Sequence, residues 1–243
     1  MGRRLTRVLT ATAAGAAMAL ACAAPAQASP PGSGDEHGPR MYHTIASTHA
    51  SAVAQVVEGC ERTDVFVSSA VGHYAAQPGP ATKQGLTGVL VRVVDVCAAA
   101  GDVAAAAAGG EVVLAEYDGQ VKVPLEVDPR LTAASVTATI PEADEPDVTI
   151  ALAVRWTGTG ELEHSTGHSH VLIPGAGVVS STANDLRRVA DAVVTVEVTG
   201  PAGTLLVSDE PADDALLERT RSHCIEVPRP GVEEFFPCFG FPG

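Results

Sequence analysis

The stretch from Asp147 to Thr157 constrains the fold more tightly than any other part of the sequence. Val148, Ile150, Leu152, Val154 and Trp156 alternate there with Thr149, Ala151, Ala153, Arg155 and Thr157. Successive side chains of an extended chain leave opposite faces, so this pattern builds a strand with one face in a core and the other toward water. A helix, repeating every 3.6 residues, would scatter the five apolar side chains around its circumference. The same period of two, less cleanly kept, marks strands near Ala52–Val57, Thr63–Ser69, Gly88–Val96, Glu111–Tyr117, Gln120–Val127, Ala133–Ile140, His168–Ile173, Val189–Thr199 and Thr204–Val207. Tyr117-Asp118-Gly119-Gln120 carries the Asp-Gly pair of a tight hairpin. About ten short strands without a long amphipathic helix predict an all-β fold, an antiparallel β-sandwich of immunoglobulin-like or jelly-roll-like arrangement. Asp185–Ala192 and Ala215–Arg219 also fit short helical turns, and the alanine-rich Ala98–Gly110 reads as a low-complexity loop.

The N-terminus predicts export. Arg3, Arg4 and Arg7 precede an uncharged apolar run from Val8 to Leu20, and Ala26-Gln27-Ala28 offers the small side chains that signal peptidase accepts. Residues 1–28 are therefore expected to be a signal peptide cleaved after Ala28, leaving a secreted product. The apolar run is shorter than the roughly 20 residues a membrane span needs, so stable membrane insertion of the mature chain is not expected. Leu5 and Thr6 do not continue a twin-arginine pattern, and Ala19-Leu20-Ala21-Cys22 is a weak lipobox, so a lipoprotein anchored through Cys22 is the less favoured reading. Residues 29–42 are rich in Pro, Gly and charge and read as a flexible linker. Loss of three arginines with the leader takes the formal charge from −14 to −17, which disfavours nucleic acid and anionic lipid as partners.

Four cysteines remain, and in an oxidising compartment they are expected to pair. Of three possible pairings, the separations favour Cys60 with Cys97 and Cys224 with Cys238, each closing one local stretch. The first pair would staple two neighbouring strands, and zinc-type CxxC spacing is absent. Alternation fades after Ser208, so residues 43–208 are expected to form the sandwich domain and 209–243 an irregular, disulfide-closed C-terminal tail. That tail holds Phe235, Phe236, Phe239 and Phe241 and is expected to dock on its own domain.

Thr63-Asp64-Val65-Phe66-Val67 after Cys60, Val94-Asp95-Val96-Cys97, Val154-Arg155-Trp156-Thr157-Gly158-Thr159-Gly160 and His168-Ser169-His170 together give the chain a likeness over residues 50–200. It resembles uncharacterised exported β-sandwich proteins of high-GC Gram-positive bacteria. The resemblance implies a fold and an export route, and brings no activity or site with it.

Chemistry is sparsely marked. The sequence holds neither a GxSxG elbow nor an HExxH zinc motif. Glu142, Asp144, Glu145 and Asp147, like Asp209, Glu210, Asp213 and Asp214, read as solvated acidic turns rather than calcium or glycosidase sites. The one concentrated signal is Glu161, Glu163, His164, His168 and His170. His168 and His170 would share a strand face, and His164 could fold back across Gly167, giving zinc or copper three imidazoles and a carboxylate. Trp156 is expected to anchor the core rather than stack on carbohydrate. The favoured function is a secreted, non-catalytic β-sandwich acting as a binding or envelope-associated structural module, with an unknown protein or envelope component as partner and no cofactor. The alternative is a metal-binding protein or metal-dependent hydrolase using His164, His168 and His170.

Overall fold

The computed structural model of the chain describes residues 40–77, 81–97, 112–145, 147–201, 203–229, 231–232 and 238. The expected signal peptide, most of the linker, the Ala98–Gly110 stretch and the four C-terminal phenylalanines lie outside them. Eleven antiparallel strands and no α-helix make up the described residues: β1 (Met41–Glu58), β2 (Glu61–Gln77), β3 (Thr82–Asp95), β4 (Val112–Val121), β5 (Glu126–Val127), β6 (Ala133–Pro141), β7 (Thr149–Gly158), β8 (Glu163–Ile173), β9 (Gly177–Gly200), β10 (Gly203–Pro211) and β11 (Asp214–Pro228). The hydrogen-bonded order is β4-β3-β2-β1-β11-β9-β7-β6-β5, with β8 and β10 also on β9.

Strand β9 has room for four neighbours because it changes partners along its length. From Gly177 to Val189 it pairs with β11, and with β8 as far as Arg187. From Ala190 to Thr199 it pairs with β7, and from Val193 to Gly200 with β10. Ala212 N–H donates to Ala192 O and Asp213 N–H to Val53 O where β10 passes into β11.

One apolar cluster gathers alternate residues from both groups of strands. Ala50, Ala52 and Ala54 of β1, Val65 and Val67 of β2 and Leu217 of β11 meet Ile150, Leu152, Val154 and Trp156 of β7 and Val194, Val196 and Val198 of β9. Small alanines on β1 leave room for the larger β7 side chains. Trp156 is 1 % exposed, and its Nε1–H donates to Ser51 O at 2.8 Å, tying β7 to β1. The alternation read between Asp147 and Thr157 is this buried edge of β7.

Several expectations are corrected. Asp214–Pro228, assigned to the tail and in part to a helix, forms β11, hydrogen-bonded to β1 on one side and β9 on the other, so the sheet does not end near Ser208. The other helical option, Asp185–Ala192, runs straight through β9. Met41 and Tyr42, assigned to the linker, open β1. Asp118-Gly119 makes no hairpin, because β4 continues through it against β3. Gly119 instead permits close approach, since a Cβ there would overlap Pro141 O and Ile140 Cγ2. The tight turn lies elsewhere: Gly59, at φ 64°, starts the two-residue connection between paired Glu58 and Glu61.

Both expected disulfides are present, Cys60–Cys97 and Cys224–Cys238. Cys60 and Cys97 join the ends of β2 and β3 and are exposed at the rim of the sheet. Cys224, expected in an irregular tail, instead lies buried in β11.

Candidate functional site

Beyond the apolar cluster, β1, β2, β8, β9 and β11 run on together, and their registers fix which side chains share a face. One row crosses His168, Thr182, His223 and Thr44. The next on the same face crosses Thr166, Asn184, Arg221, Ala46, His73 and Lys83, and the row on the other side of the first crosses His170, Ser180, Ile225 and Tyr42. A fourth carries His164, Leu186, Arg219 and Thr48. None of these positions is Asp or Glu. Glu163, Asp185, Glu218 and Glu226 occupy the intervening rows, whose side chains leave the opposite face.

Imidazoles and hydroxyls bond across this polar face. His168 Nδ1 lies 3.2 Å from Thr182 Oγ1, His170 Nδ1 2.7 Å from Ser180 Oγ, and His223 Nδ1 3.1 Å from Thr44 Oγ1. In all three the bond is made through Nδ1, which orients the ring and leaves Nε2 as the atom presented to a ligand. His73, His164, His168, His170, His223, Arg221 and Lys83 are exposed. Arg219 is held, its guanidinium donating to Thr48 Oγ1, Pro129 O and Asp128 O.

The residues singled out from sequence are thus distributed rather than gathered. Strand β8 runs unbroken through Gly167, with no fold-back, so His164 and His168 stand four residues apart, roughly 13 Å in an extended strand. His168 and His170 share a face as expected, about 7 Å apart along the strand. Glu163 faces the other way, in register with Arg187, and Glu161 is exposed just ahead of β8. Glu142 is 7 % exposed, and its carboxylate caps its own turn by accepting from Asp144 N–H and Glu145 N–H.

The opposite face of the same strands holds a cluster the sequence reading missed. His43, paired in register with Cys224, places Nδ1 3.0 Å from the Tyr74 hydroxyl and Nε2 3.1 Å from Glu226 Oε2. Glu226 is fully buried, and its Oε1 accepts Cys238 N–H at 2.8 Å. Among the described residues, His43, Glu226 and Cys238 are the three whose potential ligand atoms all lie within 4.8 Å of one another. Val179, Ile173, Ala176 and Val232 pack with the Cys224–Cys238 disulfide beside them. A signal was present in sequence: Glu226 stands two residues from Cys224 and so shares its face on any strand.

Among the described residues, His49 and Asp128 are shifted from their ordinary values. Burial holds the His49 imidazole below its ordinary value, only partly offset by Glu218 across the ladder. Asp128 is held low although its burial acts the other way, because its carboxylate accepts from Ala133 N–H, Arg130 N–H and the Thr132 hydroxyl. A cavity of about 260 Å³ lies among Tyr117, Glu145, Val148, Val198 and Leu205, below the usual range for small-molecule pockets.

No family model matches the chain, and no curated protein matches it at a significant level. Among the described residues, no helix is long and apolar enough to cross a membrane.

Proposed function

We propose that the chain is an exported, non-catalytic, disulfide-stapled β-sandwich that binds an anionic polymer of the cell envelope bearing repeated phosphate groups. In this arrangement β1, β2, β3, β4, β8 and β11 form one layer, β5, β6, β7 and β10 the other, and β9 passes from the first to the second. The observation that carries the binding reading is charge segregation. A chain of net charge −14 sets five histidines, Arg219, Arg221 and Lys83 on one face, with no intervening carboxylate among the described residues. Around those imidazoles, β9 contributes only Ser180, Thr182, Asn184 and Leu186, β1 contributes Tyr42, Thr44, Ala46 and Thr48, and Asp128 and Arg130 stand at the boundary where Arg219 is held.

A flexible polyanion can follow this one face and avoid the acidic remainder of the surface. A rigid nucleic-acid duplex would bring its phosphates against that remainder. Guanidinium, ammonium and imidazolium groups donate charge-assisted hydrogen bonds to phosphate oxygens, and the threonine and serine hydroxyls add neutral ones.

Cosedimentation with envelope fragments, before and after chemical removal of their anionic polymers, tests the reading. The secreted chain should pellet with untreated fragments, and Arg221→Glu should weaken that association about tenfold or more. Equal pelleting with stripped fragments would overturn it. The second reading, a metal site on β8, rests on the shared face of His168 and His170. One equivalent of metal retained through dialysis and lost in His168→Ala/His170→Ala would favour it.

A further inference from the structure

We infer that before its C-terminal disulfide forms, the chain holds one zinc ion through Cys224, Cys238, His43 and Glu226, and that oxidation of the cysteines releases it. The donors are already assembled. His43 is the cross-strand partner of Cys224, Glu226 shares that face two residues on, and Cys238 is bonded to Cys224 directly over them. The ligand atoms of His43, Glu226 and Cys238 lie within 4.8 Å of one another, and all three residues are buried.

Two thiolates, an imidazole nitrogen and a carboxylate oxygen make a four-ligand set that zinc accepts in closed tetrahedral sites. Outer partners are in place as well. A metal-bound imidazole needs its second nitrogen held, and His43 Nδ1 meets the Tyr74 hydroxyl while Nε2 faces Glu226. A ligating carboxylate needs its second oxygen held, and Glu226 Oε1 accepts Cys238 N–H while Oε2 faces His43. In the disulfide form Nε2 and Oε2 meet each other directly at 3.1 Å, a contact that the metal would replace in the thiol form.

The conversion balances. Each cysteine thiol loses a proton as its sulfur bonds zinc. On oxidation the two thiolates form the Cys224–Cys238 bond and pass two electrons to a disulfide-bearing oxidant. That oxidant takes up two protons to become a dithiol, and zinc leaves as the divalent ion.

Cobalt(II) titration of the secreted chain, reduced and kept anaerobic, reads the site through thiolate-to-cobalt charge transfer and tetrahedral d–d absorption. A Cys60→Ser/Cys97→Ser chain, which keeps one thiol pair, should saturate at one cobalt per chain, and zinc should displace it. The disulfide form should show no such band. Tyr74→Phe should retain the band and weaken binding about tenfold or more, the usual size of an outer-partner effect. Glu226→Gln should alter the d–d bands, with circular dichroism checking the strands. Absence of a stoichiometric band in the reduced chain, folded or unfolded, overturns the inference, as does an equal band in Cys224→Ser/Cys238→Ser.

Discussion

Trp156 shows how one side chain can hold two parts of the sheet together. Its ring fills the apolar cluster, and its single polar atom reaches a β1 carbonyl at Ser51. Trp156→Phe keeps most of the ring but leaves that carbonyl without its donor, and should cost about 1–3 kcal/mol in urea unfolding. A loss within measurement error would mean that the indole bond contributes nothing. His49 gives a pH dependence at the same scale. Its folded value is depressed, so the unfolded chain binds the proton more readily. Its favourable contribution is complete above the ordinary imidazole value near pH 6.5 and is lost progressively as pH falls through the lower folded value. Stability should therefore decline below about pH 6.5, and His49→Gln, which keeps a polar group beside Ser68, should flatten part of that decline. Unchanged slopes in the two chains would remove His49 from the account.

The two disulfides belong to different elements and should fail differently. Loop closure alone favours Cys60–Cys97, with a sequence separation of 37 against 14, by about 1 kcal/mol. Setting reverses that order. Cys60–Cys97 is exposed at the rim, whereas losing Cys224–Cys238 frees the residue whose N–H satisfies the fully buried Glu226. Glu226 keeps His43 on its other oxygen, and leaving one oxygen of a buried carboxylate without its donor costs about 1–3 kcal/mol or more. Thermal melts should thus show Cys224→Ala/Cys238→Ala, measured without metal, below Cys60→Ala/Cys97→Ala, and the opposite order would refute the buried network. Sequence made β6 and β7 legible nearly residue for residue because their inward side chains all meet one core. It understated β1, β2, β8 and β9, whose outer halves are hydrogen-bonded but carry Thr, Ser, His and Asn on a face that no apolar layer of the described residues covers. A period of two in hydropathy reports one-sided burial, not pairing. Strand β11 was hidden for the same reason: Ala215 and Leu217 face the core, then Arg219, Arg221 and His223 continue that face into the polar region.

At the scale of the molecule, the histidine cluster and the acidic composition are two sides of one arrangement. Reading along the chain found three histidines near one another on β8, but His73 and His223 join them only through the registers of β2 with β1 and of β11 with β9. His73 reaches their face only through the β1–β11 pairing as well, between residues as far apart as Ala46 and Arg221, which no local motif records. The same registers send the acids to the other face. Arg221 and Lys83 carry fixed positive charge on that exposed face, so an anionic polymer is held there by an attraction that salt screens. The direct test is a binding isotherm of the chain, its disulfides formed, with a soluble, phosphate-bearing envelope polymer at low and high salt. The account predicts affinity that falls steeply with salt and is weakened about tenfold or more in Arg221→Glu/Lys83→Glu, while Glu163→Gln on the opposite face leaves it unchanged. Affinity independent of salt, or an Arg221→Glu/Lys83→Glu variant indistinguishable from the parent chain, would contradict it.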